Sequence, residues 1–213
     1  MTGSEPARWD RSTVTLLAGF FANSAASAAL LTALGKQVYD LSGRELDLGL
    51  LGLAEFAPAA LLVLVTGTVA DRFERRRVAS YGALGEAAAT LLILAYVARS
   101  PSAVGPLFGL VLALGIARAF VAPASRSLPA DIVSSEDLPW LVARWSIVFQ
   151  MAMVSGPIMA GSLYALDPRA PFAACAALFF VGSASFAMLP RPQHSHRPEP
   201  APDGGAGDPS SGA

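Results

Sequence analysis

The stretch LGLLGLAEFAPAALLVLVTGTVA‑DRFERRR‑VASYGALGEAAATLLILAYVA, residues 48–98, decides the fold. Two continuous apolar runs, each long enough to cross a bilayer at about 20 residues per span, flank a seven-residue connector in which six residues are charged. Each run carries a single ionisable residue, Glu55 in the first and Glu86 in the second. Neither run alternates polar with apolar, so paired spanning helices are expected and a β-barrel is disfavoured.

The same pattern extends in both directions. Upstream, TVTLLAGFFANSAASAALLTAL is a first span, followed by the connector GKQVYDLSGRELD. Downstream, the tight turn RSPS leads to AVGPLFGLVLALGIARAFVAPA, and the polar SRSLPADIVSSED follows. A fifth span runs from LPWLVARWSIVFQM through VSGPIMAGSLYAL, and FAACAALFFVGSASFAML is the sixth. The first run exceeds the 7–15 residues of a signal h-region, and more spans follow it, which argues against a cleaved leader. The expected organisation is a cytoplasmic N-terminus over residues 1–12, an all-α transmembrane domain of six helices over 13–190, and a Pro/Gly/Ser-rich, disordered cytoplasmic tail over 191–213.

Composition agrees. Of 213 residues, 54% are hydrophobic and 15% charged, with a mean hydropathy of +0.50. Soluble domains carry about 25% charged residues, so a lipid solvent is the simpler account. The net charge of −1 gives no basic field for nucleic acid. No GxxxxGK[ST] loop supports ATP-driven work, and no buried His is available for a hydrolytic triad, so no enzyme is expected. Cys175 is the single cysteine, and His194 and His196 lie in the tail without a carboxylate cluster, so neither metal nor cofactor is expected.

Orientation follows from the basic residues. With the N-terminus inside, Arg8, Arg11, Arg72, Arg75, Arg76, Arg77, Arg126, Arg144, Arg191 and Arg197 are cytoplasmic. Lys36, Arg44, Arg99 and Arg169 are external, and Arg118 lies within a span. The bias puts both termini in the cytoplasm of a multi-pass cell-membrane protein. Trp9, Trp140 and Trp145 fall near the interfaces and read as belt anchors.

Ionisable residues inside a membrane are functional candidates. Counted from the cytoplasmic flanks at 1.5 Å per residue, Glu86 lies about 13 Å deep and Arg118 about 12 Å. That permits an ion pair between the third and fourth helices, which either locks them together or couples protons to transport. Glu55, about 24 Å up, is expected to snorkel to the outer interface in preference to titrating in the core. Asn23 and Gln150 sit near mid-depth and either face a cavity or make interhelical bonds. Pro58 and the Gly156–Pro157 pair mark kinks.

The connector GTVADRFERRR places Gly67, where a small residue admits a close neighbouring helix, before Asp71, Arg72, Arg75 and Arg76. This order resembles the G-x-x-x-D-R/K-x-G-R-R/K loop between helices two and three of the major facilitator superfamily, with Glu74 in place of the second glycine. That departure, and the stretch RAFVAPASRSLPADIV with Arg118, Pro123 and Pro129, resemble the enterobactin-exporter and macrolide-efflux branch. SGPIMAG in the fifth span is similar to an antiporter-associated GPxxGG element, matching at Gly156, Pro157 and Gly161, with Ala160 in place of a glycine. The resemblance covers the N-terminal six-helix half of that fold.

The resemblance implies a secondary active transporter, a proton-coupled efflux antiporter for a small molecule such as a drug or siderophore, working by alternating access. Asp71 and the arginines would hold a cytoplasmic gate, and Arg118 with Glu86 would couple protons. Glu55, Asn23 and Gln150 would lie on the substrate path. The implied partners are the lipid bilayer, protons, the substrate, and either a second copy in a homodimer or a separate C-terminal half. The alternative expectation is a truncated or split membrane fragment, or an accessory subunit, that transports nothing.

Overall fold

The structure is a computed structural model that describes residues 9–190; the side chains of residues 69–71 lie outside that description. The tail expected over 191–213, with His194 and His196, and the first eight residues also fall outside it. Six helices form: α1 (Arg11–Ser42), α2 (Glu45–Arg72), α3 (Arg75–Val97), α4 (Gly105–Ile132), α5 (Leu138–Leu166) and α6 (Ala170–Met188). All six are long and apolar enough to cross a membrane. The described residues contain no strand.

Local chemistry sets the boundaries. The Asp10 side chain accepts from the Thr13 amide at 2.8 Å and starts α1. Much of the expected connector GKQVYDLSGRELD is helical: α1 continues to Ser42 because Lys36 pairs with Asp40 one turn on and Gln37 is buried under Tyr164. Gly43 then takes φ +62°, a conformation that costs glycine little, and its amide donates to Tyr39 O at 2.8 Å. The polar SRSLPADIVSSED is likewise helical as far as Ile132, with Pro123 and Pro129 inside α4. Buried Ser125 and Leu128 hold this last stretch against the bundle.

The packing repeats itself. α1 packs chiefly on α5 and α6, as α4 packs on α2 and α3, and α3 packs on α6. Exchanging α1–α3 with α4–α6 reproduces this pattern. Because three spans reverse direction across the membrane, the two triplets are an inverted repeat. α2 and α5 bury the least of their surface inside the bundle, and their outward faces carry Leu61, Leu64, Met151, Val154 and Ile158.

Lipid offers no hydrophobic drive for helix association, so close packing and interhelical hydrogen bonds must hold the bundle. On α6, fully buried Phe172, Phe179 and Phe186 repeat every seven residues along one face. Ser80 on α3 and Ser183 on α6 exchange hydrogen bonds: Ser80 Oγ donates to Ser183 O at 3.0 Å, and Ser183 Oγ to Ser80 O at 2.9 Å. Near the C-terminal ends of α1 and α5, Tyr164 Oη shares its proton between Gln37 Oε1 (2.9 Å) and Asp40 Oδ2 (3.1 Å) on α1. At two glycines the backbone of a neighbouring helix comes closest. A Cβ on Gly115 would lie 2.6 Å from Glu55 O, and one on Gly156 would lie 2.7 Å from Ala25 O.

Candidate functional site: a buried charge cluster beside a cleft

Four helices meet at one set of polar side chains. Arg118 on α4 donates from Nε to Glu86 Oε1 on α3 at 3.1 Å, and from Nη1 to Glu55 Oε1 on α2. Asn23 on α1 lies beside the same Glu86 carboxyl. Glu86 has no solvent exposure, the Glu55 side chain is 12% exposed and that of Arg118 23%. Three atoms here are buried without a hydrogen-bond partner: Glu86 Oε2, Arg118 Nη2 and Asn23 Oδ1.

The Glu86–Arg118 pair expected from sequence forms. Glu55 does not behave as expected: it does not snorkel to the outer interface but turns inward to Arg118. Arg126 is not the end of the helix: α4 runs six residues further, to Ile132. From that end Arg118 sits about 21 Å up, within reach of Glu55.

Beside the cluster lies a cleft of about 530 Å³ between α1, α4 and α5. Asn23, Ser24 and Ser27 line it from α1, Arg118, Ser125 and Arg126 from α4, and Trp145, Ser146, Phe149 and Gln150 from α5. Phe20 stacks on Trp145 with ring centroids 3.6 Å apart and planes 20° apart, and Phe149 continues the aromatic wall, its centroid 6.2 Å from Phe20. Trp145 is therefore a cleft residue and not a belt anchor. Trp9 and Trp140 do form an edge-on pair, 5.1 Å apart, at the other tryptophan positions, with the Arg144 guanidinium 3.9 Å from the Trp140 ring centroid. Asn23 and Gln150 both reach the cleft, as one of the two sequence readings has it. Sequence does not distinguish the two roles of Trp145, because an aromatic near a span end fits both a belt and a cavity, and only helix rotation separates them.

The charged connector between α2 and α3 ties together the helix ends on its side of the bundle. Arg75 pairs with Asp131 at the end of α4 at 3.0 Å. Arg76 donates to Leu189 O at 2.6 Å, closing the C-terminal end of α6, where a cation also meets the negative end of the helix dipole. Glu74 pairs with both Arg76 and Arg77. Arg72 is exposed, and the Asp71 side chain lies outside the described residues.

Residues 16–210 match the Major Facilitator Superfamily profile. The chain belongs to this family. No individual curated protein matches it. As a major-facilitator chain it is a multi-pass membrane protein of a transporter family, not of an enzyme family. Three of its motif glycines then take different places. Gly156 is the α1–α5 contact, with Pro157 following it inside α5. Gly67 and Gly161 have no atom within 4 Å of an added Cβ. The close neighbouring helix expected at Gly67 is thus not present among the described residues, because α2 is on the edge of the bundle there.

Proposed function

We propose that this chain acts in proton-coupled efflux of a small molecule across the cell membrane, with both termini cytoplasmic, in the manner of the enterobactin-exporter and macrolide-efflux branch. One observation carries this reading: two carboxylates, Glu55 and Glu86, share the single guanidinium of Arg118 inside the membrane span. With both ionised the cluster holds a net negative charge in a medium that penalises it, and with one proton it is neutral. Glu86, fully buried and with one oxygen unpartnered, is the proton carrier. Protonation loosens the Glu86–Arg118 hydrogen bond and leaves Arg118 to Glu55, which rebalances α3 against α4 and α2.

The cluster borders the cleft through Arg118 and Asn23, so proton state and cleft shape are mechanically linked. Asp71, Arg72, Arg75 and Arg76, with Gly67, serve the cytoplasmic gate. The Gly156–Pro157 crossing and Gly161 give α5 its bend as the bundle rocks. The cleft opens on one six-helix bundle, and a second bundle, as another copy of this chain, a separate C-terminal half or the remainder of a longer chain, closes it.

Vesicles containing the full chain and loaded with anionic, neutral or cationic fluorescent probes test this. At least one probe should leave faster under an imposed proton gradient, and Glu86→Gln should abolish the gradient dependence. A strictly monomeric chain with no gradient-dependent flux for any probe overturns the transport reading. Unchanged flux in Arg118→Ala and Asp71→Ala overturns the residue roles.

A further inference from the structure

We infer that the cleft between α1, α4 and α5 selects a flat aromatic anion, and that Arg126 is the residue that reads its charge. This rests on the transport reading only in taking the cleft as a substrate site.

Three features of the cleft point to this ligand class. The first is charge. The ionisable side chains lining the cleft are Arg118 and Arg126, and no Asp or Glu is among the described residues that line it. Glu55 and Glu86 stand behind Arg118 on α2 and α3 and satisfy that guanidinium. Arg126 makes no ion pair or hydrogen bond among the described residues and is exposed. It lies two helical turns, about 12 Å, from Arg118 along α4. A cationic ligand would enter a space lined by positive charge alone. An anionic ligand would meet an uncompensated guanidinium whose fork suits a carboxylate or phosphate oxygen.

The second feature is shape. Phe20 and Trp145, stacked with Phe149 beside them, form one flat wall, to which an aromatic ring adds by offset stacking. The third is the polar lining, to which Asn23 contributes from α1 beside Phe20. Ser24, Ser27, Ser125 and Gln150 supply further donors and acceptors for polar ring substituents. The volume, about 530 Å³, lies in the range of small-molecule sites.

The full chain in lipid nanodiscs provides the test, with Trp145 made the sole reporter by Trp9→Phe and Trp140→Phe. The probes are 2-naphthoate, 2-naphthylmethanol and 2-naphthylmethylammonium, which share a ring and differ in charge. In zwitterionic lipid, 2-naphthoate should quench Trp145 with at least tenfold tighter binding than the ammonium probe. Arg126→Gln should weaken the naphthoate about tenfold and leave the alcohol unchanged. Arg126→Lys should restore part of the loss. Arg126 is exposed at the surface of α4, so the fold survives these changes, and an unchanged circular dichroism spectrum checks that.

Equal or tighter binding of the ammonium probe, or naphthoate binding indifferent to Arg126→Gln, overturns the inference and leaves proton-coupled transport standing. Loss of naphthoate binding in anionic lipid at constant ionic strength also overturns it, because Arg126 would then be a lipid-headgroup contact. Naphthoate binding without any gradient-dependent flux sustains the inference and removes the transport reading.

Discussion

Arg118 Nε and Glu86 Oε1 lie 3.1 Å apart where Glu86 has no solvent exposure, and Glu55 holds the same guanidinium from the other side. Breaking this arrangement from its centre differs from breaking it at one edge. Arg118→Ala leaves two carboxylates facing each other in the span and should cost about 3 kcal/mol or more of stability. Glu86→Gln keeps a hydrogen-bond acceptor for Arg118 and should cost about 1 kcal/mol. Adding Glu55→Gln and Glu86→Gln to Arg118→Ala should recover part of the loss, since no charge then remains unpaired. Unfolding midpoints in mixed detergent with sodium dodecyl sulfate give all of these differences. An Arg118→Ala protein as stable as the parent would mean that the carboxylates are already neutral.

The Ser80–Ser183 exchange makes a different prediction. Each hydroxyl donates to the other residue's carbonyl, so removing one hydroxyl leaves the other bond in place. Ser80→Ala or Ser183→Ala should each destabilise by about 1 kcal/mol, the scale of interhelical hydrogen bonds in membranes. The two Oγ atoms are also 3.2 Å apart, so the double variant should depart measurably from the sum. A double-mutant cycle on unfolding free energies reads the coupling, and strict additivity would mean that the two bonds act independently.

Cys175 gives a direct test of α6 packing. It is fully buried in the cluster formed with Phe172 and Phe179, and a buried apolar thiol is unreactive. A maleimide should label the folded protein in detergent at least tenfold more slowly than the protein unfolded in dodecyl sulfate. Rapid labelling of the native form would place Cys175 on the lipid or aqueous surface and rotate α6 away from the described packing.

Part of this architecture is visible before any coordinate. The apolar runs give six helices, and the charges of Glu86 and Arg118 well inside the third and fourth spans point to their pairing. Glu55 is missed by counting depth, because the depth of Arg118 depends on where α4 ends and the polar stretch after Arg126 hides a further turn and a half of helix. The Phe20–Trp145 stack and the Ser80–Ser183 exchange are not legible, since they depend on how each helix is rotated about its axis. Apolar residues surround spanning helices on every side, so no amphipathic stripe records that rotation. The basic connector is legible as a motif, but its contacts with Asp131 and the end of α6 join segments far apart in sequence, and nothing local announces them.

Gly156 and Gly161 belong to the same sequence element, yet the structure gives them opposite roles. At Gly156 an added Cβ would lie 2.7 Å from Ala25 O and 3.0 Å from Ala29 N, both on the backbone of α1. Backbone atoms inside a spanning helix cannot move aside singly, so Gly156→Ala must push α5 off α1. That displaces the Phe20–Trp145 stack and opens the cleft. The expected cost is about 2 kcal/mol, in the range for overpacking a close contact, together with a shift of Trp145 emission. At Gly161 nothing lies within 4 Å, so Gly161→Ala should leave Trp145 emission unchanged and should gain roughly a few tenths of a kcal/mol from the better helix propensity of alanine. Unfolding midpoints and Trp145 fluorescence, recorded on the two variants side by side, check both halves. If Gly161→Ala proves the more harmful, its role is an encounter outside this bundle, and the α1–α5 crossing is not what the element serves.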